Sequence, residues 1–176
     1  KLVQRIGYTE GLPVVVDPGI LAPREFIDTV LTVRVPNPFM PDTPQRIATD
    51  TSQKLAIRFG ETVKAYQRSP ELTVQSLDMI PLVFAGWLRY LMAVDDAGNA
   101  FTLSPDPLLD TVCPYVKGLA LQPDQDVEAH VEEVLKMKQI FGVDLYEAGL
   151  AEKVCGYLQE LTAGVGAVRS TLQKYV

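Results

Sequence analysis

Four charged residues, Asp42, Arg46, Asp50 and Lys54, recur every fourth position in "NPFMPDTPQRIATDTSQKL", residues 37–55. On an α-helix, Arg46, Asp50 and Lys54 fall in a wedge roughly 80° wide and some 12 Å long. Two chemistries fit that pattern. One is a solvated i, i+4, i+8 ion-pair ladder worth a few tenths of a kcal/mol per pair, and spacing alone favours it. The other is a cationic fork, in which Arg46 and Lys54 donate to the oxygens of a small polar ligand while Asp50 holds the two donors in place. Arg58 would extend the row by one more turn.

Other chemistries are poorly supplied. No G-x-G-x-x-G follows a strand, and no phosphate-binding loop, G-x-S-x-G elbow or nucleophile with a nearby histidine is present. The single histidine, His130 in "VEAHVEEV", reads as a solvated helix residue. Cys113 and Cys155 lie far apart without C-x-x-C spacing, as two separate thiols in a reducing cytosol would. One His and two scattered Cys argue against a catalytic zinc site, and no metal is expected.

The elements that would position the fork are helical. Thr43 is a plausible N-cap and Pro44 a first-turn residue, opening a long helix through about Gln67. A shorter helix is expected from Pro23 to about Val33. The apolar run "SLDMIPLVFAGWLRYLMAVDDAGNAF" reads as a buried central helix with Pro81 in its first turn or kinking it, closed by a turn over 95–99. A short helix is expected between Pro107 and Pro114. Val127, Val131, Val134 and Leu135 mark an amphipathic helix ending at Gly142, and two further helices cover about 144–161 and 163–175. Gly164 and Gly166 read as turn or packing glycines. "LPVVVDPG" is strand-like, but without a second β-rich run it reads as an extended arm over residues 1–22. The expected fold class is therefore all-α, a mostly helical domain over 23–176 behind that arm.

Bulk properties agree with one globular domain. The 176 residues are 47% hydrophobic and 22% charged, with a net charge of −6. The acidic excess argues against nucleic acid or an anionic membrane surface as partner. No window has the apolar length of a membrane span, so a cytoplasmic location is expected. The first residues, "KLVQRIGYTEG", carry neither an initiator Met nor a signal-peptide core, and the chain is expected to be a piece of a longer protein.

The stretch "RVPNPFMPDTPQRIATDTSQKL" resembles the core signature of the long-chain polyol dehydrogenase family, which includes mannitol 2-dehydrogenase and the fructuronate and tagaturonate reductases. Arg34, Asn37, Pro38, Asp42, Arg46 and Lys54 occupy the family's positions, although Val35-Pro36 replace the usual Phe-x. "FAGWLRYLMAVDDAG", "SPDPLLD" and "IFG" resemble further family segments in the same order, so the likeness covers nearly the whole chain. The resemblance implies the C-terminal substrate domain, with a fold like the helical C-terminal domain of 6-phosphogluconate dehydrogenase. It implies that Arg46 and Lys54 bind substrate oxygens, that Asn37 orders the loop that aims the helix, and that Asp42 and Asp50 support it. The partners implied are a sugar acid or polyol and an upstream Rossmann domain carrying NAD or NADP; a homo-oligomer is compatible with the pattern.

One departure limits the expectation. The family's catalytic pattern, Lys, four residues, Asn, two residues, His, is not found after Lys1, and His130 comes too late in the chain. The chain alone is therefore expected to bind substrate weakly and to catalyse nothing. The competing expectation is a stand-alone helical binding or dimerisation module without catalysis.

Overall fold

A computed structural model describes residues 22–34 and 52–175. Helix α1, Pro23–Thr29, starts on the proline whose missing N–H costs nothing in a first turn, and runs into a π-helical turn, Val30–Arg34. The second helical rod is α2, Ser52–Leu55, a π-helical turn, Ala56–Gly60, and α3, Glu61–Arg68. A 3₁₀ turn at Val74–Ser76 leads into α4, Met79–Leu91. Then come α5, Leu109–Val116; α6, Val127–Leu135; α7, Lys138–Phe141; α8, Ala151–Thr162; and α9, Ala167–Gln173. Among the described residues the β-structure is one isolated antiparallel bridge, Val94 with Ala100. The all-α reading holds.

The core is built around α4. Ten of its residues are buried, from Met79 to Leu91, as its unbroken apolar sequence requires. Its most extensive partner is α8, which also packs on α6 and α9. Pro81 sits in the first turn of α4 and leaves it unbroken. Phe84 joins an edge-on aromatic cluster, with ring centroids 5.9 Å from Phe59 and 4.9 Å from Phe141; Trp87 stacks edge-on to Phe141 at 6.0 Å. This cluster is the floor on which the second rod lies.

Three boundaries differ from the sequence expectation. Pro114 lies inside α5 rather than ending it, and Asp110, whose carbonyl it deprives of an amide donor, is an exposed residue. The amphipathic helix expected through Gly142 breaks at Met137 into α6 and α7 (φ −76°, ψ 91° at Met137). The helix expected from 144 starts only at Ala151, since Asp144 turns the chain by accepting from the amides of Tyr146 and Glu147. Gly142 does end α7, in the left-handed region at φ +80°. The extended arm, apart from Ala22, and residues 44–51 of the expected long helix lie outside the described residues.

The segment around Trp87-Leu88-Arg89-Tyr90 is architectural. Arg89, 4% exposed, donates from Nε to the carbonyl of Leu161 (3.2 Å), from one terminal nitrogen to Val94 (2.6 Å) and from the other to Asp95 (3.1 Å). It thereby stitches the end of α8 to the turn after α4. Burial pulls its pKa down against the opposing pull of Asp96 and Asp95. Asp95 closes its own turn by accepting from Ala97 and Asn99, and Asp96 accepts from Val168 and Arg169 at the start of α9.

Candidate functional site

Of the predicted site residues, the structure describes Lys54. Arg46, Asp50, Asn37 and Asp42 lie outside the described residues. Lys54 is half-buried on α2, on a rod whose inward stripe is Ser52, Leu55, Phe59, Gly60, Val63 and Tyr66. Lys54 lies two positions after Ser52, a rotation of roughly 200°, so it is set off the inward stripe that Ser52 joins.

The rod is fastened at two places. At its first described turn, Ser52 is fully buried, and its amide and hydroxyl both donate to Asp106, to Oδ2 at 2.7 Å and Oδ1 at 2.5 Å. Burial raises the Asp106 pKa, but the hydrogen bonds from Ser52 and Leu108 outweigh it and hold the carboxyl below its ordinary value of 3.8. At the other fastening Gly60 meets Gly142 backbone to backbone. A Cβ on Gly60 would lie 3.0 Å from the Gly142 Cα, and one on Gly142 only 2.8 Å from the Gly60 Cα.

Between the fastenings the helix widens into the π turn, Ala56–Gly60, two residues after Lys54. A π turn inserts one residue into the helical count, so Arg58 does not continue the four-residue row beyond Lys54 with α-helical phase. Such turns concentrate at functional sites. Ile57, within this turn, is 80% exposed.

Ser52, Asp106 and the Gly60–Gly142 contact were not singled out from sequence. A serine at an inward position of an apolar stripe was the available signal for Ser52, because a buried hydroxyl demands a partner. Nothing in the local pattern points to Asp106, which lies 54 residues away.

The concavities elsewhere on the described residues suit an anionic ligand poorly. One of about 260 Å³ beside Gly142 is lined by Lys64 and Lys138, but these cations already pair with Glu61 at 2.7 Å and Glu147 at 2.8 Å. Another, of about 410 Å³, is lined by Asp124, Asp126, Glu128 and Glu152, whose charge repels an anion. His130 is exposed on α6 and Cys113 and Cys155 are free thiols. Burial pushes the Cys155 thiol up to about 12.

Among the described residues, no group of three His, Cys, Asp or Glu is placed to hold a metal ion. The glycine turn singled out in the sequence is no dinucleotide phosphate site. The Gly164–Gly166 turn opens α9 without a preceding strand, and the carboxylate of Asp96 already occupies the amides there, where a phosphate would have to sit. Among the described residues no helix is long and apolar enough to cross a membrane.

The chain is 51% identical over all 176 residues to the D-mannonate oxidoreductase of Thermotoga maritima, and spans 32% of that protein. It is 33% identical over 147 residues to an uncharacterised oxidoreductase of Escherichia coli, covering 82% of this chain and 28% of that protein. It is 36% identical over 99 residues to the mannitol 2-dehydrogenase of Emericella nidulans, covering 53% of this chain and 17% of the relative. Residues 1–162 match the mannitol dehydrogenase C-terminal domain family. Matched over this length, and all-α over its described residues, the chain belongs to the mannitol dehydrogenase C-terminal domain family.

Proposed function

We propose that this chain, with a helical domain over 23–176 behind an arm over 1–22, is the substrate-binding part of a longer NAD(P)-dependent oxidoreductase. The reaction interconverts an aldonate or polyol secondary alcohol with its keto-uronate or ketose, and the favoured substrate is D-mannonate. The observation that carries this reading is Lys54, half-buried two positions beyond the Ser52–Asp106 clamp, in a chain half identical over its whole length to a D-mannonate oxidoreductase. Lys54 and Arg46 are the donors to substrate oxygens, with Asp50, Asn37 and Asp42 supporting them. Two cations suit a carboxylate, since charge-assisted hydrogen bonds to it are about twice as strong as neutral ones. Nucleotide binding and proton abstraction fall to other parts of the polypeptide, an upstream Rossmann domain among them, in keeping with a chain spanning 32% of the relative. Free thiols at Cys113 and Cys155 suit a reducing cytoplasm.

The test is an assay of the natural full-length polypeptide for NADH or NADPH oxidation with D-fructuronate, D-tagaturonate and D-fructose. Turnover of a keto-uronate is expected. Arg46→Ala and Lys54→Ala should each weaken substrate use by roughly 2 kcal/mol, about 30-fold in kcat/KM, with little change in Tm. No turnover of any of the three, or a Tm loss matching the activity loss, overturns the reading in favour of a helical binding or dimerisation module.

A further inference from the structure

We infer that Asp106 is a positioning residue for Lys54, acting through Ser52 to hold the turn that presents the ammonium group to substrate. The inference rests on the reading of Lys54 as a substrate contact.

Ser52 is fully buried in the inward stripe of the rod, where an unpaired amide or hydroxyl would be costly. One carboxylate satisfies both, at 2.7 and 2.5 Å. Asp106 is itself a fixed peg. Pro105 and Pro107 flank it and restrict its backbone. Its Oδ1 also accepts from the Leu108 amide at 3.0 Å, and its carbonyl accepts from Leu109 at 3.2 Å. The peg opens α5, which packs on α4 and α6. The position of Lys54 is thus referred to the core through Asp106 on one side and through the Gly60–Gly142 contact on the other.

Asp106 acts on where the Lys54 backbone sits and which way it faces. Misplacement of a binding group by about 1 Å is enough to weaken its contact greatly, whereas a fold-wide role for Asp106 would act the same with or without the ammonium group.

The experiment is a double-mutant cycle in the natural full-length enzyme, oxidising D-mannonate with its dinucleotide. Asp106→Ala should raise KM for D-mannonate about tenfold with kcat within about threefold, and leave the KM for dinucleotide unaltered. Asp106→Asn keeps an acceptor for the Ser52 amide and should recover most of the loss. In a Lys54→Ala background, Asp106→Ala should raise KM by less than about twofold, because the group it positions is gone. If Asp106→Ala does not fold, Ser52→Ala completes the same cycle. Equal KM factors in the two backgrounds, or an unaltered KM in the single variants, overturn the inference while leaving the Lys54 contact standing. An unaltered KM for Lys54→Ala alone overturns the contact itself, and the inference with it.

Discussion

At the scale of single residues, two arginines in family-like segments have opposite fates. Arg46 is proposed to meet substrate, whereas the buried Arg89 spends its donors on three backbone carbonyls, of Leu161, Val94 and Asp95. Removing the guanidinium strips the buried Leu161 carbonyl of its donor, at about 1–3 kcal/mol for a fully desolvated group, and takes one donor each from the part-buried Val94 and Asp95 carbonyls, the latter keeping the Gly98 amide. Arg89→Met should therefore lower stability by about 3 kcal/mol, read from urea unfolding, with the KM for D-mannonate of the folded enzyme unaltered. A raised KM at wild-type stability would place Arg89 at the site instead. The cysteines make a second residue-level prediction. With its thiol pushed up to about 12 by burial first, and by Glu128 and Asp126 next, Cys155 carries almost no thiolate at neutral pH. Iodoacetamide at pH 7.5 should leave Cys155 unmodified in the native protein and alkylate it readily in urea, as peptide mass mapping would report. Rapid native alkylation would contradict the burial.

At the scale of elements, the rod that carries Lys54 depends on a glycine pair. Gly142 serves twice, ending α7 at φ +80° and letting the Gly60 backbone approach. An alanine there meets a left-handed backbone cost of about 1–2 kcal/mol and a Cβ 2.8 Å from backbone. Gly142→Ala should cost about 2–4 kcal/mol, and Gly60→Ala less, about 1–2 kcal/mol, because its φ is −58° and only the contact is tight. Urea midpoints compare the two. Equal midpoints would mean that the left-handed conformation adds nothing. Elsewhere, element ends rest on single polar groups. Lys153 Nζ donates to the carbonyls of Gln75 and Leu77 and to Asp78 at the start of α4, and Asp126 caps α6 through the Ala129 amide.

At the scale of the whole molecule, acid should loosen the link between the second rod and the core. The Asp106 carboxyl is held below its ordinary value of 3.8, so folding stabilises its charged form. The stability it contributes is present above that ordinary value and is lost as pH falls through the lower folded one. The difference in unfolding free energy between wild type and Asp106→Asn should be constant from pH 7 to 5 and shrink below about 3.8. A difference that grows on acidification would reverse the sign of the linkage. Asp95 shares this direction, through its own turn amides, but it lies in solvent on the far side of the Arg89 stitch.

Helix class, the buried character of α4, the αL end at Gly142 and the amphipathic face of α6 were legible in the sequence. Each is set by residues within one or two turns of one another. The four-residue recurrence of Asp42, Arg46, Asp50 and Lys54 was equally legible, but spacing alone left a surface ladder and a ligand fork both open. Only the tertiary structure decided that Ser52 faces inward onto Asp106, that a π turn follows Lys54, and that Arg89 joins α8 to the turn after α4. These depend on pairing buried donors with acceptors 54 and 72 residues away and on how closely two backbones approach. A periodicity is a property of one helix, whereas the satisfaction of a buried polar group is a property of the packed whole.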